Sequence, residues 1–197
     1  MVKLSIISDH VVSMLDRGLS KKLIYHNIDH TLDVTSQCLA IATEEGIADE
    51  QVLLILQVAA LYHDSGFLYV YQQHEEKGCE IARDQLPGFG MDEHAIEEVC
   101  KLIMATKVPQ KPVTHLQQII CDADLDYLGR DDFFETGDKL RRELLEYKFI
   151  ADHHDWEKRQ LDFLRSHHYF TKTSQKKRSA AKKEFIEQLM QYQDKVK

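Results

Sequence analysis

Residues 49–66 read DEQVLLILQVAALYHDSG. From Val52 to Tyr62 every position but Gln57 is apolar, so a helix here is apolar nearly all round. Such a helix belongs in the middle of a core. Asp49 stands where an N-cap is needed, with a carboxylate able to accept from the free N–H groups of the first turn. Ser65-Gly66 ends the run, and the predicted helix is Glu50–Tyr62. The stretch is too short to cross a bilayer, and no charged-then-apolar leader is seen at the N-terminus. The expectation is a cytoplasmic protein without a membrane partner.

Helical periodicity continues on both sides of this stretch. Leu4, Ile7, Val11 and Leu15 recur at spacings of three and four before Gly18. Thr31–Glu45 carries Val34, Cys38 and Ile41 on one face, with Gly46 as a C-terminal stop. Glu75–Leu86 and Asp92–Thr106 are amphipathic and separated by Pro87-Gly88. Pro109 and Pro112 bracket a loop before Thr114–Leu128, and Phe133–Ile150, Trp156–His167 and Ser174–Val196 complete the pattern. No strand alternation of useful length and no internal repeat is found. Eight glycines and three prolines are too few for a turn-rich β fold. The predicted class is all-α, and 197 residues suit one domain, or one with an appendage.

A formal charge of −8 argues against a general nucleic-acid binder, which needs cations to neutralise phosphates. A small anionic substrate stays compatible if positive charge, a metal's included, is concentrated at a pocket. Cys38, Cys79, Cys100 and Cys121 have no CxxC spacing and fall on apolar helix faces, the pattern of buried free thiols. Lys172, Lys176, Lys177, Arg178, Lys182 and Lys183 form a basic stretch. It reads either as a solvated helix face or as an attractor for substrate phosphate.

Chemistry concentrates in three places. Tyr25-His26-Asn27-Ile28-Asp29-His30 puts two histidines four apart, on one side of a helical turn. His63-Asp64 sits at the end of the most apolar helix, where a charge is costly unless paired or coordinated. Asp64 could instead cap the following helix or orient His63. Cys121-Asp122-Ala123-Asp124-Leu125-Asp126 places three carboxylates at the end of another apolar helix, either a solvated acidic turn or a source of ligands. Two imidazoles and two carboxylates make a mixed N/O set suited to a catalytic divalent metal.

The order His30, then His63-Asp64, then Asp124 resembles the H…HD…D signature of the HD superfamily of metal-dependent phosphohydrolases. Tyr62-His63-Asp64-Ser65-Gly66-Phe67 is similar to the HD-x-G segment, and Asp122-Ala123-Asp124-Leu125 to the distal aspartate segment. The resemblance implies an HD-domain helical bundle with a signature core over about residues 22–130. A C-terminal helical extension over about 131–197 would pack on it. This tail resembles that of small bacterial HD proteins, which implies a stand-alone protein.

Carried over, the resemblance implies His30, His63, Asp64 and Asp124 as ligands of a divalent metal: Mn, Fe, Co, Ni, Zn or Mg. Asp124 is preferred to Asp122 because the family's aspartate precedes Leu or Arg, and Asp64 could bridge two ions. The segment around His26 is similar to the YHNxxH segment of cyclic-nucleotide phosphodiesterases, which implies His26 as general acid. His74 looks like the additional histidine of two-metal members, and His74 and Asp122 are expected at a second metal or the substrate. Lys107, Arg141 and Arg142 are expected phosphate contacts. The acidic pair that follows HD in the alarmone-hydrolase branch is replaced here by Phe67, Leu68 and Tyr69, and the GYP segment of the cyclic-dinucleotide branch is absent.

The expected activity is hydrolysis of a nucleotide or other small phosphate ester by metal-activated water. The competing expectations are a ligand-sensing regulatory HD module with little turnover and a purely structural helical protein.

Overall fold

A computed structural model describes residues 3–196. Among them the chain forms nine α-helices and three short 3-10 turns, with no strand. The helices are α1 (Leu4–Gly18), α2 (Ile28–Glu44), α3 (Glu50–Tyr62), α4 (His74–Gln85) and α5 (Glu93–Ala105). They continue as α6 (His115–Asp124), α7 (Phe133–Glu146), α8 (His153–Ser166) and α9 (Lys172–Val196). The 3-10 turns are Ser65–Leu68, Leu86–Phe89 and Asp126–Gly129.

Helix α3 takes the central place its composition predicts, contacting α1, α2, α4, α5 and α6. Asp49 caps it, accepting from Gln51 N and Val52 N at 2.9 and 3.0 Å. Leu56, Val58, Ala59 and Ala60 are fully buried. Removing a large apolar side chain from water stabilises the fold by roughly 1.5–3 kcal/mol. Glu50–Leu68 has the length and hydropathy of a membrane crossing, at 19 residues and a mean hydropathy of 1.2. Yet 61% of that window is buried inside the bundle and α3 itself ends at Tyr62, so it is a core helix. All four cysteines are free and buried.

Tyr25, Leu125, Tyr127, Leu128, Phe133, Leu164 and Tyr169 form a second apolar cluster. Several bounds move by one to three residues, α2 starting at Ile28 and α8 at His153, and two helices stop four residues before the expected end for local reasons. α6 stops at Asp124 instead of running to Leu128, because Leu125 leaves helical geometry at φ −107° and ψ 17°. The turn that follows carries Tyr127 and Leu128 into the second cluster. α7 stops at Glu146 instead of Ile150: Lys148 adopts φ 60°, and Phe149 N donates to Leu144 O at 2.8 Å and Lys148 N to Leu145 O at 3.1 Å. That is a Schellman ending with lysine where glycine is usual.

The basic stretch divides its charges. Arg178 grips Asp126 through two bonds of 2.8 and 2.9 Å, Lys177 pairs with Glu44, and buried Lys182 donates to Leu164 O and His167 O. These three residues dock α9. Lys172, Lys176 and Lys183 are exposed, in keeping with a solvated face, and none of the six lines the cavity described below.

Candidate metal centre and its cavity

Four side chains from three segments converge where α2, α3 and α6 meet. His30 comes from the first turn of α2, whose cap Asn27 accepts from His30 N at 3.1 Å. His63 and Asp64 follow α3 directly, and Asp124 ends α6. His30 Nε2 lies 3.4 Å from His63 Nε2, 3.3 Å from Asp64 Oδ2 and 3.4 Å from Asp124 Oδ1. His63 Nε2 lies 3.1 Å from Asp64 Oδ2 and 3.6 Å from Asp124 Oδ1. Donors about 2.1 Å from one ion stand about 3.0 Å apart at octahedral corners and about 3.4 Å at tetrahedral ones. Each of these five separations therefore suits ligands to one ion, and His30, His63 and Asp124 form a group whose donor atoms all lie within 4.8 Å of one another.

Two further observations bear on the fit. Asp64 Oδ2 is buried and makes no hydrogen bond, despite its nearness to two imidazoles. A carboxylate oxygen so placed is costly unless a cation satisfies it. His63 Nδ1 donates to Ala60 O at 2.7 Å, which leaves the Nε2 lone pair for a ligand, the usual second contact of a metal-binding histidine. Burial works against charge on all four groups. Even so, the carboxylates raise His30 and carry His63 well above the ordinary imidazole range, and the imidazoles hold Asp64 well below the carboxylate range and Asp124 at about 2. The cluster thus selects for positive charge at its centre. A divalent ion fits this set.

His74, at the first position of α4, brings Nε2 to 3.5 Å from Asp64 Oδ1, while its Nδ1 donates to Tyr71 O at 3.0 Å. Asp64 therefore faces the four-residue cluster with one oxygen and His74 with the other. Gly66 permits this approach: a Cβ there would lie 2.0 Å from His74 O. Phe67 is stacked between two imidazoles, His26 at 4.2 Å and His74 at 3.9 Å between ring centroids.

His26 is held by a residue the sequence reading missed. Glu143, fully buried on α7, accepts from Tyr25 N at 2.8 Å, His26 N at 3.0 Å, the His26 ring at Nδ1 and Tyr71 Oη at 2.9 Å. Burial pushes its carboxyl up, but the His26 ring and the backbone N–H groups prevail and hold it below the usual range. With Nδ1 engaged, His26 presents Nε2 as its free ring nitrogen. The available signal was positional: Glu143 flanks the apolar stripe Phe133, Gly137, Leu140 and Leu144 instead of opposing it.

Asp122 is not at the centre, which corrects its expected role at a second metal or the substrate. It is fully buried, with burial raising its pKa, and accepts from Phe170 N, Thr171 N and Thr171 Oγ1 at 2.9, 2.8 and 2.7 Å. It fastens the start of α9. Arg141 bonds to Asp138 and Arg142 is exposed, and neither lines the cavity; the outward face of α7 explains both departures. Lys107 does line it, paired with Glu76. Arg159, which sequence reasoning passed over, lines it too.

That cavity, of about 810 Å³, opens from Asp64, Asp124, His26 and His74 and runs beneath the extension. A smaller recess of about 160 Å³ lies behind Tyr25, Asp124 and Tyr127 and is lined by Asp29, Asp33, Arg130 and Asp132.

The family description "HD domain" matches residues 27–126. No curated protein matches the chain in sequence. A crystal structure of a predicted HD superfamily hydrolase from an uncultured Thermotogales bacterium superposes with a TM-score of 0.63 at 19% identity, over 96% of this chain and 92% of that one. At that identity the likeness is one of fold, and it extends through the C-terminal helices.

Proposed function

The chain belongs to the HD domain family, whose members are generally metal-dependent hydrolases, and from that premise we propose that it hydrolyses a small phosphate ester. The reading is carried by one observation: His30 and His63 each have a donor nitrogen 3.1–3.6 Å from both an Asp64 and an Asp124 oxygen, the Asp64 one buried without a hydrogen bond, beside a cavity that His26 also lines.

His30, His63, Asp64 and Asp124 would hold a divalent metal, with His74 beside the second oxygen of Asp64. When bound, such an ion supplies Lewis-acid activation of water and neutralises charge on a phosphoryl oxygen. Around it the chain's own groups divide the work. Asp64 and Asp124 fix negative charge where the cation is needed. His63 is locked in one tautomer by Ala60 O. His26, oriented by Glu143, holds a proton at Nε2 to deliver to the departing oxygen, the role of a general acid. Lys107 and Arg159, each paired with a carboxylate, stand at the cavity's rim. Nucleotides are one substrate class that this chemistry serves.

The test is metal content and phosphate release measured together. Wild-type protein is expected to carry a divalent metal and to release phosphate from at least one member of a phosphoester panel. Asp64→Ala is expected to lose both. Unchanged metal content in Asp64→Ala would overturn the ligand assignment. A metal-loaded wild type that binds phosphoesters without turnover would move the protein to the regulatory class.

A further inference from the structure

The large cavity has two unlike parts to its lining. One holds the carboxylates and imidazoles of the metal centre. The other is an apolar wall from the extension: Leu140 and Leu144 of α7, Phe149 after it, and Trp156, Phe163 and Leu164 of α8. Trp156 and Leu164 are buried even with the cavity beside them. The polar side chains that the extension adds are Arg159 and Gln160. Arg159 is 57% exposed and tied to Asp155, and Lys107 across the opening is 41% exposed and tied to Glu76, so both cations sit at the rim. Sugar hydroxyls and base amides pressed on this apolar wall would lose water and gain few partners. The recess on the other side of Asp124 is too small and too acidic to take an organic group beside a phosphate.

Building on the phosphoester reading, we infer that the substrate is the phosphate ester of a bulky apolar alcohol, aryl or medium-chain alkyl. Its phosphate lies at the metal centre and its organic group lies against the extension. The extension then sets specificity while residues 27–126 supply the ligands. Each methylene moved from water to an apolar wall tightens binding by up to roughly fourfold.

The experiment is calorimetric binding of n-alkylphosphonates, methyl to octyl, to the full-length Mn-loaded protein. Phosphonates cannot be hydrolysed, so binding is read apart from turnover. Octylphosphonate is expected to bind at least about tenfold more tightly than butylphosphonate, and the phosphonate analogue of adenosine monophosphate more weakly than octylphosphonate. Leu144→Asn, a half-buried position, is expected to flatten the series and leave methylphosphonate binding unchanged. Phe149→Ser repeats the test from outside the helices. Arg142→Asn, on the outward side of α7, is expected to change neither. A series without chain-length dependence, or tighter binding of the adenosine monophosphate analogue than of octylphosphonate, overturns this inference and leaves phosphoester hydrolysis standing. Failure of every phosphonate to bind overturns both.

Discussion

Replacing Glu143 by Gln tests whether His26 is a general acid oriented from the extension. One carboxylate oxygen of Glu143 receives two backbone N–H groups, and the other receives His26 Nδ1 and Tyr71 Oη. A glutamine keeps its carbonyl on the backbone pair and turns its amide toward the ring. The ring nitrogen there must then accept, and the imidazolium loses its charged partner. A charge-assisted hydrogen bond contributes about 1.5–3 kcal/mol, which at about 1.4 kcal/mol per decade is a 10- to 100-fold fall in rate. The fall appears only where the leaving oxygen needs a proton. With an alkyl phosphate, kcat for Glu143→Gln is expected to drop by that factor. With p-nitrophenyl phosphate, whose leaving group departs as a stable anion, it is expected to stay within about threefold, the bond's worth being withheld from a step that needs no acid. His26→Asn should show the same split. An equal loss on both esters would make Glu143 a structural residue, and no loss on either would remove His26 from the mechanism.

Two further outcomes follow from buried groups outside the centre. Asp122→Ala leaves Phe170 N, Thr171 N and Thr171 Oγ1 without their acceptor, and should cost about 3–5 kcal/mol in urea unfolding; at saturating metal the stoichiometry per folded molecule should be unchanged, a loosened Asp124 showing only as weaker affinity, and a lost metal equivalent with the fold intact would return Asp122 to the ligand set. His167 is held neutral, its pKa lowered to about 3 by burial, with Lys182 and His168 adding to the effect. In the unfolded chain it takes a proton near pH 6.5, so its contribution is complete above that pH and is lost as pH falls toward 3. Between pH 6.5 and 4.5 this amounts to about 2–3 kcal/mol, and His167→Asn should lose that much less stability over the interval than wild type; parallel curves would refute it.

What the sequence disclosed follows the range of the interactions. Helix α3 was readable because its cap, its apolar run and its stop are contiguous, and its bounds are those predicted. Gly46 was readable as a stop because glycine takes φ 84° without strain. Lys148 ends α7 in the same left-handed region, and nothing in a lysine announces it. The four candidate ligands could be picked out because each ends or begins an element and keeps a recognisable local spacing. Glu143 could not, since its partner is 117 residues away and meets it only once α7 has docked. The basic stretch showed its charges but not their partners, so Arg178 and Lys182 were indistinguishable from exposed Lys176 and Lys183.

Asp122, Asp124 and Asp126 show how the two parts of the fold are joined. The middle carboxylate faces His30 and His63. The outer two hold the extension, Asp122 through Phe170 and Thr171 and Asp126 through Arg178. One helix end therefore places a candidate ligand and anchors the segment that follows α8. That segment keeps α8 in place through Lys182, and α8 carries part of the cavity's apolar wall. A change in the extension can alter what the cavity accepts without touching a ligand, whereas a change that frees Asp122 or Asp126 loosens the wall and the aspartate between them together. Substrate choice and the metal centre are thus separable at the wall residues and coupled at this short acidic turn.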